Sequence, residues 1–438
     1  MNILLIYPPF CTPVTPPYSI TNLYNVLKNN TSHNIKAIDL NIEFHKLKFG
    51  SKFKTFDDYE KQAADFKDPS IKVYMENHKM IRNDKAPEFF DELLQQILKQ
   101  KPDIAAFSII YSSQTMYTYM LIKKLKSLGI KTIIGGTSVS QKLIEIADKH
   151  LDNEIELLEY LNAKLKNEKR VLDFSIYNLD DYFTPKTVLP IKTSSSCYYR
   201  QCAFCTHYCK TKYKEYPIEE IKETIVKSKQ KFFFFIDDMI TKKRLLEIAE
   251  SVKPLNVSWT CQLKPTKELD YETLKALRES GLKIIIWGVE SGSDRILKLM
   301  NKGTNIKDIS HVLKDSKRAG IVNITYIIFG FPTETKEEFM ETMDFLKNNS
   351  ESIDLVSSSV FGLQAGSDIY KNPAKYKITK IIEEQRTMLD PKVTYEVSEG
   401  LTQEQATKLK GKYRKAIERI NKHPKTMNYF REHMLCMI

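Results

Sequence analysis

Three of the chain's seven cysteines fall within nine residues, in the stretch Ser194-Ser195-Ser196-Cys197-Tyr198-Tyr199-Arg200-Gln201-Cys202-Ala203-Phe204-Cys205. A lone free cysteine packs as a small hydrophobe, but three on one short loop among Ser, Tyr and Arg cannot all be turned into a core. They read as soft ligands of one metal centre. A structural zinc site takes four ligands in two separated pairs, whereas C-x4-C-x2-C offers three thiolates from a single loop and would leave one iron of a four-iron cluster open. His207 and Cys209 lie just downstream. Either could supply a fourth ligand, so a closed electron-transfer cluster or a zinc site stays as the alternative.

The 438 residues suffice for two or three domains. With 42% hydrophobic and 28% charged residues the composition is that of an ordinary water-soluble protein. A clustered trio of cysteines points to a reducing cytoplasm rather than a disulfide scaffold. The opening MNILLIYPPF has no basic n-region, and its apolar run ends at Pro8-Pro9, so a buried first strand is expected there and not a signal peptide or membrane span. A formal charge of +12 would suit nucleic acid. The lysines, however, are scattered among Asp and Glu with no basic run interleaved with aromatics, which predicts a solvated surface and no nucleic-acid partner.

Apolar runs at 2–7, 34–40, 104–110 and 131–134 alternate with helical patterns at 18–29, 88–100 and 113–128, which predicts a parallel, doubly wound sheet. Residues 41–87 are charged and aromatic and read as an insertion capping one sheet edge. Thr137 to Leu165 lacks glycine and reads as one or two helices, and 166–186 is polar and reads as a linker. From Val188 onward the rhythm is regular. Strands are predicted at the start of this region and at 232–236, 257–262, 283–289, 322–329 and 355–360. Helices at 218–228, 242–252, 271–280, 305–318 and 335–348 separate them, and the tail reads as helical at 379–390 and 402–422. Six such units are too few for a closed eight-stranded barrel. Polar residues gather at the strand ends: the cysteines after the first, Asp237 and Asp238 after the second, Gln262 and Lys264 after the third, Glu290 and Ser291 after the fourth, and Gly330 after the fifth.

Cys197, Cys202 and Cys205, with Phe204 before the last, resemble the cluster loop of the radical S-adenosylmethionine (radical SAM) superfamily. The commoner spacing there is C-x3-C-x2-C. The extra residue resembles the Cys-Tyr-x-x-x-Cys-x-Phe-Cys loop of members with an N-terminal cobalamin-binding-like domain. Gly288-Val289-Glu290-Ser291-Gly292-Ser293, Ile327 to Thr335 with its Gly330-Phe331-Pro332, Phe235-Ile236-Asp237-Asp238 and Phe361 to Ile378 are similar to segments of the same group. The resemblance over about 190–360 implies that the three cysteines hold a 4Fe-4S cluster whose open iron takes SAM. By the same resemblance, Phe204 and Gly330 would lie by the adenine, Glu290 and Ser291 near the ribose and carboxylate, and Asp237 and Asp238 where relatives bind the amino group.

The implied organisation is α/β: a cobalamin-binding-like Rossmann domain at 1–165, a linker at 166–186, a partial (β/α)6 TIM-type barrel at 187–360 and a helical extension at 361–438. Gly135-Gly136 ends a strand as in that N-terminal domain, but the Gly-Glu-Gly-Glu type turn and the cobalt-binding Asp-x-His-x-x-Gly motif are absent. The activity implied is reductive cleavage of SAM to a 5′-deoxyadenosyl radical that abstracts hydrogen from a substrate carbon. Cobalamin-dependent methylation, cyclisation or rearrangement would follow. A small-molecule or peptide substrate and a reductant such as flavodoxin or ferredoxin are the partners implied. The alternatives are a tRNA-modifying radical SAM enzyme and a non-catalytic iron–sulfur or zinc protein. Tyr198, Tyr199, His207 and Tyr208 flank the loop as candidate hydrogen or proton donors, and Cys436 is an isolated thiol.

Overall fold

The computed structural model describes residues 1–50, 59–207 and 211–438. The chain divides into two units. One comprises Met1–Pro190 with Glu219–Gln230 and Gln385–Pro391; the other comprises Ile191–Ile218, Lys231–Glu384 and Lys392–Ile438.

The first unit is built on five strands, β1 (Asn2–Tyr7), β2 (Asn34–Asp39), β3 (Ile104–Ser108), β4 (Lys131–Gly135) and β5 (Lys149–His150). Their order is β2-β1-β3-β4-β5 and every pair is parallel. The two-residue side-chain period puts Leu4, Ile6, Ala105 and Phe107 into the core on one face, and Ile3, Leu5, Ile104 and Ala106 into the core on the other. The neighbours of β1 lead off in opposite directions, so a topological switch point lies between β1 and β3.

Three expectations are corrected here. The 137–165 stretch holds the short strand β5 as well as the helices Gln141–Ile146 and Glu154–Tyr160. The insertion folds into helices Leu40–Phe49 and Tyr59–Arg82, with 51–58 outside the described residues. Phe44 and Val73 from these helices join the core on one sheet face rather than capping an edge. The 166–186 stretch is no loose linker: Leu172, Phe174, Tyr182 and Phe183 are buried, and the Tyr182 hydroxyl donates to Asp39 Oδ2 at 2.9 Å.

A six-stranded sheet runs in the order β6 (Val188–Ile191), β7 (Phe232–Phe235), β8 (Ser258–Leu263), β9 (Leu282–Glu290), β10 (Val322–Phe329) and β11 (Leu355–Val360), and β7 to β11 belong to the second unit. The pairs from β7 to β11 are parallel, in sequence order and joined by helices, so all carboxyl ends lie on one side. That order is the winding of a (β/α) barrel left open between its first and last strands. Strand β11 is therefore an edge, but its outer backbone groups are met by side chains. Val356 N–H donates to Asn421 Oδ1 at 2.8 Å, Asn428 Nδ2 donates to Val356 O at 3.2 Å, and Lys410 Nζ donates to Ser358 O at 2.7 Å.

The predicted helix at 379–390 is instead a strand, β12 (Ile378–Glu384), paired antiparallel with β13 (Lys392–Val397). A register shift between Ile378 and Lys380 adds one residue to β12. Ile378 and Ile381 therefore pack into the same cluster although three apart, which imitates a helical period. The helix at 402–422 is present as Gln403–Glu418, begun by a capping box of Thr402 and Gln405.

Asn323 in β10 is fully buried and joins four elements. Its Oδ1 accepts from Trp287 Nε1 (2.8 Å) and Ser316 Oγ (2.7 Å), while its Nδ2 donates to Leu313 O (3.0 Å) and Ser352 O (2.7 Å). Asn323→Ala takes this partner from two buried donors, Trp287 Nε1 and Ser316 Oγ, and from the Ser352 carbonyl. Its expected cost is about 3 kcal/mol or more, read as a lowered urea midpoint; an unchanged midpoint would show that these bonds contribute no net stability.

Candidate functional site

The cysteine loop leaves the carboxyl end of β6 and is closed at its base. Ser194 and Glu215 form an antiparallel bridge, Tyr216 N–H donates to Thr193 O, and Ser195 exchanges bonds with Lys212 and Lys214. Asp237, at the end of β7, is fully buried and holds the start of the loop. Its carboxylate accepts from Thr193 N–H at 3.0 and 2.9 Å and from Ser194 Oγ at 2.7 Å. Burial raises its pKa, while Ser194 and Thr193 oppose the rise by bonding the ionised form. Asp237 thus braces the loop and does not present a free carboxylate.

Further along, Ala203 N–H donates to Met300 O, Ile369 N–H to Ala203 O, Tyr199 Oη to Asn301 O (2.8 Å) and Asn301 Nδ2 to Gln201 O (2.9 Å). The extra residue between Cys197 and Cys202 is accommodated by a turn in which Arg200 is left-handed, with φ 55°. Gly303, φ 68°, lies under Tyr199; a Cβ there would collide with its hydroxyl.

Cys197, Cys202 and Cys205 are free thiols, partly exposed. Burial raises the pKa of Cys202 and pushes Cys205 up to about 11, and the charges of the three thiols influence one another. Among the described residues no three His, Cys, Asp or Glu side chains converge on a single-ion site. A multi-iron cluster bonds each thiolate to a different iron and does not require such convergence. Cys209 and Tyr208 lie outside the described residues. His207 Nδ1 is 2.9 Å from Asp238 Oδ1. Burial acts against ionisation of Asp238, yet His207 holds its carboxyl below the usual range.

The feature that sequence reasoning missed is a buried ion pair beside the loop. Lys302 Nζ lies 2.7 Å from Glu290 Oε1, with both side chains under one-tenth exposed. Gly288 makes room for it, since a Cβ there would meet both Glu290 Oε1 and Lys302 Nζ at 2.8 Å. Burial works against the Lys302 charge, but Glu290 and then Cys202 raise its pKa. Lys302 also stands 5.8 Å from the centre of the Phe204 ring. Lys264, at the end of β8, lies 3.3 Å over the Tyr199 ring, and burial with the nearby Lys302 charge lowers it to about 8. Two cations thus stand beside the cysteines. The only sequence signal for Lys302 was its place in the turn Asn301-Lys302-Gly303, which carries no motif.

The other strand-end residues are held by structure. Ser291 is buried, 3.4 Å from Thr342 Oγ1, and accepts from Ser293 N–H. Gly330 (φ 70°) gives its N–H to Glu334 and accepts from Tyr395 at its carbonyl, and a Cβ there would collide with Ala406 Cβ. Glu334 is fully buried, and burial pushes it up to about 8.

Residues 191–346 match the Radical SAM superfamily model. The chain is 25% identical over 311 residues to an uncharacterized methyltransferase of Pyrococcus horikoshii, a match over 59% of this chain and 67% of that protein. It is 26% identical over 223 residues to the cytidylyl-2-hydroxyethylphosphonate methyltransferase of Streptomyces wedmorensis, over 44% of this chain but only 41% of that one. Two solved structures share the fold. The radical S-adenosylmethionine methyltransferase TsrM from Kitasatospora setae, with cobalamin and a [4Fe-4S] cluster bound, aligns with TM-score 0.62 at 14% identity, over 89% of this chain and 79% of that one. The cobalamin-dependent S-adenosylmethionine radical enzyme OxsB aligns with TM-score 0.65 at 14% identity, over 95% and 67%.

Two measurements check this geometry. Lys302→Met strands the Glu290 carboxylate and is expected to cost about 3 kcal/mol or more, whereas Lys302→Met with Glu290→Gln recovers much of the loss; simple additivity in denaturation would deny the coupling. Glu334 binds its proton more tightly folded than unfolded. Stability should therefore fall as pH rises from about 4.5, its ordinary value, to about 8. Glu334→Gln should flatten that fall, and an unaltered slope would assign it elsewhere.

Proposed function

Given that this chain is an enzyme with a Radical SAM superfamily domain at residues 191–346, we propose that it cleaves S-adenosylmethionine on a 4Fe-4S cluster held by Cys197, Cys202 and Cys205. The reading continues to hydrogen abstraction from a small-molecule or peptide substrate, with methylation as the outcome. The observation that carries it is three free thiols on one braced loop at the carboxyl end of an open parallel barrel. The donor set fits. Three soft sulfurs suit iron–sulfur ligation, and Nδ1 of the neighbouring His207 is 2.9 Å from Asp238 Oδ1.

When bound by Cys197, Cys202 and Cys205, the cluster would supply the electron for reductive cleavage of SAM and SAM the hydrogen-abstracting group. The chain's own residues set the conditions for this. Asp237 fixes where the loop begins, and Tyr199 with Asn301 fixes its far side. Lys264 and Lys302 offset the negative charge that three thiolates bring together. Glu290 is committed to Lys302, so a ribose contact would use Glu290 Oε2 or a rearranged pair. Phe204 offers an apolar ring for adenine. Gly330 has both backbone groups bonded and Ala406 packed where a side chain would stand, so it offers no free hydrogen-bonding group. The limits 1–165 for the cofactor domain and 187–360 for the barrel belong to the same reading.

Cobalamin is proposed for the first unit. A cavity of about 210 Å³ opens beside the carboxyl ends of β3 and β4, walled by Leu23, Ile133 and Leu157 with Ser108, Asn153 and Glu154 among its polar groups. Gly135 and Gly136 are explained without a ligand, because a side chain at either would collide with backbone, Leu151 O in the first case and Ile109 O in the second. When bound, cobalamin would supply the methyl group. No described helix is long and apolar enough to cross a membrane. Flavodoxin or ferredoxin is the class of reductant proposed.

Anaerobic reconstitution with iron and sulfide, then reduction with SAM present, is expected to yield 5′-deoxyadenosine. Cys197→Ala, Cys202→Ala and Cys205→Ala should each reduce the yield at least a hundredfold and lower bound iron. Full activity in any of the three would end the assignment. Retention of a cobalamin visible spectrum after gel filtration tests the first unit separately.

A further inference from the structure

Two cations on the inner wall of the second unit's barrel end in groups that bond to nothing. Which side chains face inward follows from those that face outward. Trp287 Nε1 donates to Asn323 Oδ1, and Asn323 bonds Ser316 and Leu313 of the helix Ile306–Arg318, so Trp287 and Asn323 lie on the outer face. Paired residues of parallel strands share a face. Leu263 pairs with Trp287, so Lys264, one residue on, turns inward beside Gly288, whose partner on β10 is Tyr326. Phe234 and Gln262 fall on the same inner face. A filled barrel buries its inward side chains in layers. Phe234, Gln262 and Tyr326 face inward from three different strands and stay part-exposed, so this interior is hollow.

Lys264 is only 6% exposed, and its ammonium, over the Tyr199 ring at 3.3 Å, has no hydrogen bond or ion pair among the described residues. Arg431 reaches the same wall from the C-terminal segment, its guanidinium 5.2 Å from the centre of the Tyr326 ring. Its Nη1 donates to Asn428 O at 2.8 Å, and the side chain forms no ion pair among the described residues. The nearby acids are not partners of these cations. Glu290 is paired with Lys302, and Glu432, whose charge acts on Tyr326 as that of Arg431 does, stands beyond ion-pair distance. Lys264 Nζ and Arg431 Nη2 remain open to water and so face the hollow rather than packed chain. Two strand spacings, about 10 Å, separate β8 from β10, so one small molecule can meet both. Ammonium and guanidinium groups form their strongest hydrogen bonds with oxyanions, and a few polar anchors on an apolar wall make a small-molecule site.

We propose that this hollow binds the substrate as an organic oxyanion, its charge on Lys264 and Arg431 and its apolar body against Phe234 and Tyr326. A carboxylate and a phosphate monoester share that chemistry. That the occupant is the substrate rests on the function proposed above, whereas the anion site rests on the barrel alone.

The full chain, without added iron, is titrated with 3-phenylpropionate, 2-phenylethyl phosphate and the neutral 3-phenylpropionamide at constant ionic strength and pH 7, with binding read by calorimetry. One of the two anions is expected to bind at least tenfold more tightly than the amide, and the tighter one identifies carboxylate or phosphate as the group. Lys264→Met and Arg431→Met should each weaken that anion at least fivefold and leave the amide within twofold. Lys415→Met, an exposed charge on the helix Gln403–Glu418, should change neither by more than twofold. If Arg431→Met does not fold, Arg431→Gln serves, and Lys264→Met still reads alone. Equal binding of anion and amide, or an equal loss in Lys415→Met, would overturn the site. SAM is the competing source of a carboxylate: if it displaces the anion and both substitutions weaken it equally, substrate recognition is overturned. 5′-Deoxyadenosine is assayed separately in reconstituted protein. Its formation without anion preference ends this inference alone; anion preference without its formation ends the function proposed above and leaves the anion site standing.

Discussion

The carboxylate of Asp237 is the contact on which the second unit's chemistry turns. A loop of about twenty residues leaving a strand end would sample many conformations, and ordering it costs backbone entropy at every residue. One buried acid, bonded to Thr193 N–H and Ser194 Oγ, fixes the direction in which the loop departs. The Ser194–Glu215 bridge then returns the chain to the place it left. Everything between can be cysteine, tyrosine and arginine because neither end has to be stabilised by the residues in the middle.

The parallel sheet explains why so much of this was legible in the sequence. Strands buried on both faces must be continuous apolar runs, as at 284–289 in β9, and polar residues are then excluded to the strand ends. The positions of Asp237, Glu290 and Gly330 could be read from that rule. Their partners could not. The Asp237 bonds run backwards to the preceding strand's loop, and the Glu290 bond runs to Lys302 across an intervening helix. Neither spacing is a period of any element. Residues that the family resemblance implied as cofactor contacts are also engaged with neighbouring chain, as Ser291 is with Ser293 and the helix Lys336–Asn348.

The misread segments fail for equally local reasons. In Ile378–Glu384 one extra residue shifts the alternation so that apolar positions fall three apart. The 166–186 stretch is polar by count, but Tyr182 and Phe183 carry large apolar surfaces, and the one polar atom of Tyr182 reaches Asp39. Composition averages over residues, whereas burial is decided by a few large side chains.

An open barrel has a cost that a closed one avoids. Its last strand presents a row of backbone donors and acceptors, the kind of template on which a second chain can add a strand. Here Asn421, Asn428 and Lys410 occupy that row with side chains, which satisfy the groups without offering a further edge. A strand in the same place would merely have moved the problem outward. The tail therefore ends lateral growth of the sheet, and colloidal behaviour, rather than catalysis, is what its polar residues govern first.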